Sequence, residues 1–406
     1  MLVWCRSSST VSIVRTRRRY VAERTLGFTE SVIREMTRLA DLYGAINLAQ
    51  GFPDFAAPDE IKEAAVAAIR ADVNQYAITW GARALREALA DAYRDRYAMR
   101  VDPDTMITIA CGATEAMIAS LLAIIDPGDE VIVFEPFYEN YGPDATLCGA
   151  RPVFVPLRPP DFTFDRDELA AGFTPRTKAI IVNTPNNPTG RVFTSAELEA
   201  IAEQCRRHDV IAVTDEIYEH IVYEGQHRPI ATLDEMADRT ITISGFSKTF
   251  SVTGWRVGTI VAASELTAAI RKVHDFLTVG APAPLQQACA MALRLGQSYY
   301  ERLASEYRAR RDRLHAALAA AGFHPRLPEG AYYLLCDISH TGFADDVAFA
   351  RWLVEKVGVA GVPGSAFFSR PELGRGLIRF TFCKRPETLD AAAARLAGAP
   401  RLAHST

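Results

Sequence analysis

Three short apolar segments in the middle of the chain constrain its fold more than any other feature. They are "KAIIVNTP" (178–185), "VIAVTDE" (210–216) and "TITISGF" (240–246), and each is rich in β-branched residues. Their apolar residues are continuous rather than alternating, which indicates strands that are buried on both faces. A helical segment with a capping box, Thr194 with Glu197 three residues later, separates the first two. The pattern predicts an α/β fold in which helices cover both faces of a parallel sheet.

Chemically varied side chains lie at or just past the ends of these three strands. Asn187 follows the first, Asp215 ends the second with Tyr218 just past it, and Ser247 and Lys248 follow the third. Sheets of this kind bind ligands outside the carboxyl ends of their strands. A single residue of this sort is usually a cap, a turn residue or a packing residue. An amide, a carboxylate, a phenol and an amine at successive strand ends predict a common site.

Lys248 indicates the chemistry of that site. It lies in "ISGFSKTFSVTGWRVG" (243–258), eight residues before Arg256. Pyridoxal phosphate is the cofactor that requires a lysine for its aldehyde, an acidic partner for its ring nitrogen and a phosphate clamp. Asp215 would supply the acid and Arg256 a forked donor for the phosphate. The glycine in "CGATEA" (111–116) begins a predicted helix, where free N–H groups bind anions.

The same segments resemble the class I aminotransferases. "GFSKTFSVTGWRVG" is similar to the cofactor signature of that family, and "NNPTG" and "TDEIY" match two more of its landmarks. "NLAQGFPDF", "NQYAITWG" and "GLIRFTF" extend the resemblance over residues 25–398. The motifs are similar to those of the kynurenine aminotransferase and glutamine transaminase K branch, and of broad-specificity bacterial aminotransferases.

The resemblance implies fold type I, with a mostly parallel seven-stranded sheet between helices in a large domain and a smaller α+β domain. Residues 61–295 would form the large cofactor-binding domain. Residues 25–60 and 296–406 would form the small domain, and residues 1–24 a disordered extension.

Individual roles follow from the resemblance. Lys248 is expected to bind pyridoxal phosphate covalently and to move the substrate proton, with Asp215 at the ring nitrogen. Asn187 and Tyr218 are expected at the ring hydroxyl, and Tyr138 against the ring. The expected phosphate ligands are Gly112, Ala113, Thr114, Ser247 and Arg256, joined by Tyr76 of the partner subunit. Because position 245 is glycine where several relatives have serine, the hydroxyl donor is Ser247 or Ser244.

The expected substrates are an L-amino acid and a 2-oxo acid that react in a ping-pong sequence. Arg379, in "GLIRFTF", is expected to bind the α-carboxylate, assisted by Asn187 and the backbone of Gly51. The alternative for Arg379 is a buried ion pair with an acid. No second arginine can be assigned from the sequence to a side-chain carboxylate, which favours neutral, apolar or aromatic amino acids. The apolar "TVGAPAP" (278–284) is expected to line the pocket of the partner subunit.

The resemblance also implies a homodimer with shared active sites. "NQYAITWG" has no helical period and interrupts a long helical stretch at 60–97, which is typical of a functional loop. The alternative is that Tyr76 and its neighbours cover the core of their own subunit.

Other functions remain open at this point. The same residues would support β-elimination, as in a cysteine-S-conjugate β-lyase, or a specialised enzyme of amino-acid or natural-product biosynthesis. An inactive regulatory relative would be expected to lack Lys248 or Asp215, and both are present.

Composition excludes several classes of partner. The 45 basic and 49 acidic side chains give a net charge of −4, which argues against nucleic acid. No apolar run approaches the roughly 20 residues of a membrane span. Seven scattered cysteines without a Cys-x-x-Cys motif favour reduced thiols in the cytoplasm and no metal site. The first twenty residues contain five arginines and four serines, which fits a transit peptide, a disordered extension or a misplaced start codon.

Overall fold

The structure is a computed structural model that describes residues 20–26 and 31–398. Most of the expected N-terminal extension, and with it the choice between a transit peptide and a misplaced start, lies outside the described residues. Within the extension, Glu23–Thr25 forms one turn of 3₁₀ helix.

Helices and strands alternate along the described chain. The helices are α1 (Val32–Tyr43), α2 (Asp59–Arg70), α3 (Arg83–Tyr97), α4 (Ala113–Ile124), α5 (Tyr141–Leu147), α6 (Arg166–Ala171), α7 (Ser195–His208), α8 (Ser264–Thr278), α9 (Ala283–Ala292), α10 (Gln297–Ala320), α11 (Asp346–Trp352) and α12 (Pro386–Ala397). The strands are β1 (Ile46–Asn47), β2 (Ile107–Ala110), β3 (Glu130–Glu135), β4 (Arg151–Pro156), β5 (Thr177–Asn183), β6 (Ile211–Asp215), β7 (Thr240–Gly245), β8 (Gly258–Ala262), β9 (His324–Pro325), β10 (Tyr333–Asp337), β11 (Val359–Ala360), β12 (Val362–Pro363) and β13 (Leu377–Thr381).

A seven-stranded sheet forms the centre of the molecule, in the order β2-β8-β7-β6-β5-β3-β4. Strands β4, β3, β5, β6 and β7 are parallel, whereas β8 runs antiparallel to both β7 and β2. The three strands predicted from the sequence are β5, β6 and β7, and they are adjacent. Asn183 at the end of β5 is in register with Asp215 at the end of β6. The expectation of a mostly parallel sheet between helices is therefore confirmed.

Burial on both faces explains why these strands are continuously apolar. Along β5, Ile180 and Val182 contribute to one apolar core, which α7 covers, while Ala179 and Ile181 contribute to the core on the opposite face. Each such fully buried Ile or Val stabilises the fold by about 1.5–3 kcal/mol. The capping box of α7 is formed as predicted, with the Thr194 hydroxyl and the Glu197 carboxylate each accepting from the other residue's N–H.

Smaller sheets form from residues far apart in the chain. Strands β12, β13, β10 and β9 form an antiparallel four-stranded sheet. Strand β1, at the start of the segment "INLAQGFPDFAAP", pairs in parallel with β11. No local pattern marks β1, because it exists only through its distant partner. The division into domains at residues 61 and 295 stays a prediction.

Candidate active site

A cleft of about 210 Å³ lies at the carboxyl ends of β5, β6 and β7. All of the expected site residues line it except Gly112 and Tyr76. The lining therefore includes Gly51, Ala113, Thr114, Tyr138, Asn187, Asp215, Tyr218, Ser247, Lys248, Arg256 and Arg379.

Lys248 enters the cleft from the loop after β7. Its Nζ donates a hydrogen bond of 3.2 Å to the carbonyl oxygen of Gly51. Burial lowers the pKa of the Lys248 amine to about 8, against the opposing effects of Cys383 and Asp215. Gly51 cannot be replaced without rearrangement, because a Cβ there would lie 2.2 Å from the Tyr333 hydroxyl. The hydrogen bond to Gly51 therefore positions the amine, and the lowered pKa makes it neutral at a lower pH than the amine of an exposed lysine.

Asp215, the last residue of β6, is buried and held by hydrogen bonds. It accepts from the Tyr141 hydroxyl at 2.7 Å and from the Ile217 N–H at 3.2 Å. Burial raises the pKa of the Asp215 carboxyl, while these two donors and the charge of Lys248 act in the opposite direction. The Asn183 side-chain amide fixes the strand end by donating to the Asp215 carbonyl oxygen at 2.9 Å.

Tyr141 and Asn183 were not identified from the sequence. Asn183 had a detectable signal, since it is the last residue of a predicted strand at the same edge of the sheet. Tyr141 lies three residues after Tyr138 in one segment, but nothing local shows that it reaches Asp215. The two tyrosine rings pack edge to face with their centroids 5.7 Å apart, and Tyr138 lines the cleft as expected.

Arg379 is fully buried in the wall of the cleft. It donates 2.7 Å hydrogen bonds to the Asn187 side-chain oxygen and to the Ala49 carbonyl oxygen, while its Nε has no partner. The ring centroids of Tyr333 and Phe367 lie 4.2 and 4.8 Å from the guanidinium carbon. Among the described residues, no Asp or Glu forms an ion pair with it, so the alternative of a buried ion pair is not observed. A buried cation without an anion is costly, which points to an anionic ligand.

Tyr218 is also buried, and its hydroxyl lies 3.0 Å from that of Tyr333. Tyr333 was not identified from the sequence, although it begins β10 and lines the cleft. The backbone of Asn187 is held in place, because its N–H donates to the Asn183 side-chain oxygen at 2.8 Å.

The start of α4 forms a cradle for an anion. Ala113 and Thr114 line the cleft there, and the first N–H groups of a helix have no partner within it. Gly112 precedes them with φ 84°, and a Cβ at this position would lie 2.4 Å from an Arg256 Nη2. Gly112 therefore brings the helix start against Arg256 rather than lining the cleft itself. A Cβ at Gly258 would likewise lie 2.4 Å from the Gly112 carbonyl carbon.

The two candidate serines, Ser247 and Ser244, have different surroundings in the structure. Ser247 is buried and lines the cleft. Ser244 instead donates a 2.7 Å hydrogen bond to Glu219. Ser247 is therefore the serine in a position to contact a ligand in the cleft.

Tyr76 does not line the cleft of its own chain. Its side chain is 85% exposed in the loop between α2 and α3. The alternative that it covers its own core does not fit this exposure.

Asp144 is a further carboxyl in the cleft wall, and no motif in the sequence marks it. It lies in α5, is 7% exposed, and its Oδ2 has no hydrogen-bond partner. Burial raises the pKa of the Asp144 carboxyl from 3.8 to about 7. Near neutral pH this side chain is thus poised between its neutral and charged forms.

Replacing Asp144 with Asn is expected to stabilise the protein in a pH-dependent way. The folded-state pKa of Asp144 exceeds its unfolded value, so the proton is lost more easily on unfolding. Wild-type stability therefore falls as pH rises from about 4 to 7, and the loss is constant above that. The free energy of unfolding of Asp144→Asn minus that of wild type should grow over this interval by up to about 4 kcal/mol. Urea unfolding at pH 5 and pH 8 measures about 3 kcal/mol of this change. The control is Asp161→Asn, an exposed carboxyl; equal pH dependence in both variants would contradict the expectation.

The fold and the site together define a class of enzyme. A lysine, a buried carboxyl and an anion cradle lie together at the carboxyl edge of a mostly parallel sheet. This donor set fits pyridoxal phosphate, since it offers an amine of lowered pKa, an acid for the ring nitrogen and a cationic cradle in which Gly112 lets the start of α4 lie against Arg256.

Comparisons with known proteins identify the family. The model of the family "Aminotransferase class I and II" matches residues 43–396. The chain is 42% identical over 381 residues to the probable N-succinyldiaminopimelate aminotransferase of Mycobacterium tuberculosis, covering 91% of this chain and 96% of that protein. It is 38% identical over 403 residues to kynurenine–oxoglutarate transaminase 3 of Mus musculus, covering 91% and 88%. A solved structure of an Escherichia coli protein with a methionine aminotransferase function matches with a TM-score of 0.90 at 38% identity, covering 94% and 100%.

The chain belongs to the class I and II aminotransferases. It is a pyridoxal-phosphate-dependent aminotransferase that acts on amino acids and 2-oxo acids. The family, fold type, reaction and cofactor expected from the sequence are thereby confirmed.

Proposed function

We propose that the protein moves the amino group of a neutral, apolar or aromatic L-amino acid to a 2-oxo acid in a ping-pong sequence. The carrying observation is Arg379, a buried guanidinium with an unpartnered Nε in the cleft that Lys248 also lines. It supports recognition of an α-carboxylate beside an amine that moves protons. The relatives act on methionine and kynurenine, among others, which supports a neutral or aromatic donor.

The residues of the cleft have separate roles in holding the cofactor and moving the proton. When bound, pyridoxal phosphate supplies an electron sink for the bond that breaks at the α-carbon. Lys248 would hold the cofactor through its aldehyde carbon, with loss of water, and its amine, once displaced by the substrate amine, would carry the proton from the substrate α-carbon. Asp215 would hold a proton at the ring nitrogen, and Asn187 and Tyr218 would donate to the ring hydroxyl.

Substrate and phosphate are held at separate places. Arg379 forms a bidentate pair with the α-carboxylate, with Asn187 and Gly51 beside it. Tyr138, which lines the cleft, would pack against the cofactor ring. The proposed phosphate ligands are Gly112, Ala113, Thr114, Ser247 and Arg256, with Tyr76 of the partner subunit.

A screen of the holoenzyme against the twenty amino acids tests this function. Loss of the cofactor's absorbance band, with 2-oxo acid formed in equal amount, is expected for neutral and aromatic amino acids. The corresponding amines, which lack the α-carboxylate, should not react. Release of pyruvate and ammonia from cysteine conjugates without amino transfer would instead favour a β-lyase. A rate that is equal for phenylalanine and phenethylamine would contradict the role of Arg379.

We further propose a homodimer located in the cytoplasm. The exposure of Tyr76 supports a partner that covers it. The six described cysteines are unpaired, which supports a reducing compartment. No helix within residues 20–26 and 31–398 is long and apolar enough to cross a membrane. No group of three or more potential metal-binding side chains occurs in the same part of the chain.

Mixing two inactive variants should restore activity if the sites are shared. Lys248→Ala subunits retain Tyr76, and Tyr76→Ala subunits retain Lys248. In a mixed dimer, one site carries both defects and the other carries none. After complete exchange of equal amounts, about a quarter of wild-type activity is expected.

Two differently tagged chains, isolated through both tags, verify the exchange in this experiment. If Tyr76 served its own subunit, every site of the mixed dimer would carry one defect. A doubly tagged dimer that stays inactive, or an active monomer in sedimentation, would therefore contradict the shared site.

A further inference from the structure

A second arginine, Arg34, lines the same cleft as Arg379 but in a different environment. It lies in the first turn of α1 and is exposed, whereas Arg379 is fully buried. Ser31, Ile33, Gly51 and Tyr138 line the cleft with it. The cleft therefore contains a buried guanidinium and an exposed one, and the sequence alone could not place the second.

The charge of Arg34 is not neutralised by its neighbours. In the described part of the chain its guanidinium forms no hydrogen bond or ion pair, and its backbone N–H donates to the Ser31 hydroxyl at 3.3 Å. The acid on the same wall, Glu139, accepts a 2.5 Å hydrogen bond from that hydroxyl. On the same helix, Glu35 pairs with Arg351 at 3.2 Å. The nearby carboxylates thus have other partners.

We propose that Arg34 binds the distal carboxylate of a dicarboxylic 2-oxo acid, which makes such acids the preferred amino acceptors of this cleft. The proposal rests on the proposed function, since Arg379 must hold the α-carboxylate for the second carboxylate to reach Arg34.

Exposure of Arg34 explains how one cleft can accept two kinds of substrate. An exposed guanidinium stays hydrated when it has no partner. A substrate with an apolar side chain can therefore bind without leaving the charge of Arg34 buried and unpaired. A dicarboxylic acid replaces that water with a charge-assisted pair. Glu139 opposes this, because its negative charge lies on the same wall.

The test compares holoenzymes of wild type, Arg34→Met and a control, Arg38→Met. Arg38 lies one turn further along α1, is exposed, and is not among the described residues that line the cleft. The quantity measured is kcat/KM for 2-oxoglutarate divided by kcat/KM for 2-oxobutyrate, with one fixed amino donor. Arg34→Met should lower this ratio at least about fivefold, mainly through KM for 2-oxoglutarate. Arg38→Met should leave it unchanged.

Companion measurements identify the cause of the change. Arg34→Lys should lower the ratio less than Arg34→Met does, because lysine keeps the positive charge although it lacks the forked donors of the guanidinium. Glu139→Gln should raise the ratio, and added salt should lower it in wild type alone. In calorimetry, glutarate should bind wild type more tightly than butyrate does, and Arg34→Met should remove that preference.

An unchanged ratio in Arg34→Met, or an equal loss in Arg38→Met, would overturn the proposal. Failure of the proposed function would look different, because wild type would then transfer no amino group from neutral, apolar or aromatic amino acids to any 2-oxo acid. Even in that case the preference for glutarate over butyrate, and its loss in Arg34→Met, would decide the role of Arg34.

Discussion

Lys248→Ala protein will fold, bind pyridoxal phosphate weakly and lose covalent attachment of it. Borohydride reduction followed by mass spectrometry should show the cofactor fixed to wild type and not to the variant. Turnover should fall by at least about 10³-fold, because the group that carries the proton is removed. The position of the amine supports this: it donates to the Gly51 carbonyl oxygen in the same cleft that Asp215 and Arg379 line.

The lowered pKa of Lys248 adds a pH dependence to this result. Only the neutral amine attacks an aldehyde, and the pKa of this amine is about 8. The rate of covalent capture of the cofactor by apoenzyme should therefore rise with pH and level off above about 8, well below the pH at which an ordinary lysine becomes neutral. A capture rate still rising steeply at pH 10 would contradict the lowered pKa.

Lys384 provides a matched control for Lys248. It is another buried lysine, and its Nζ donates to the Phe52 carbonyl oxygen at 2.9 Å, one residue from Gly51. Lys384→Met should keep full borohydride fixation. Added methylamine should partly restore turnover to Lys248→Ala, because it replaces the missing base. Fixation at wild-type yield in Lys248→Ala would show that another residue bonds to the cofactor.

The sheet and the types of residue at its edge could be predicted from the sequence because both depend on local pattern. Strands β5, β6 and β7 are buried on both faces, so their apolar runs are unbroken. Strand β8 has the same apolar character yet is antiparallel to its neighbours, and a run of apolar residues contains no information about direction. For that reason the antiparallel directions at the β8 and β2 edge of the sheet could be seen only in the structure.

Partners within the site could not be predicted, because they meet only in the folded chain. Tyr141 contacts Asp215 from a helix that precedes it by two strands, and Tyr333 meets Tyr218 from the four-stranded sheet. Arg34 lies in a helix with an ordinary amphipathic pattern, where a charged residue normally faces solvent. The sequence could therefore identify the reacting groups but not the groups that orient them or extend the cleft.

Asp215→Ala is expected to lower turnover by about 10²–10³-fold or more, because it removes the group that keeps a proton on the ring nitrogen. The apoprotein should gain stability or change little, since the variant no longer buries a carboxyl whose pKa is raised by burial. Urea unfolding of the apoprotein therefore separates a role in catalysis from a role in folding. Near-normal turnover, or a loss of turnover that merely follows a loss of fold, would contradict the role proposed for Asp215.

Tyr141→Phe is the matched variant for this carboxyl, because it removes one donor and leaves the charge in place. The Tyr141 hydroxyl donates to Asp215 at 2.7 Å and so favours its ionised form. Without that bond the pKa of Asp215 rises further, and the acid limb of the pH–rate profile should move to higher pH. Turnover at its optimum should fall far less than in Asp215→Ala, since the carboxylate still forms at high enough pH. An acid limb that stays in place or moves to lower pH in Tyr141→Phe would show that the ionisation of Asp215 does not govern it.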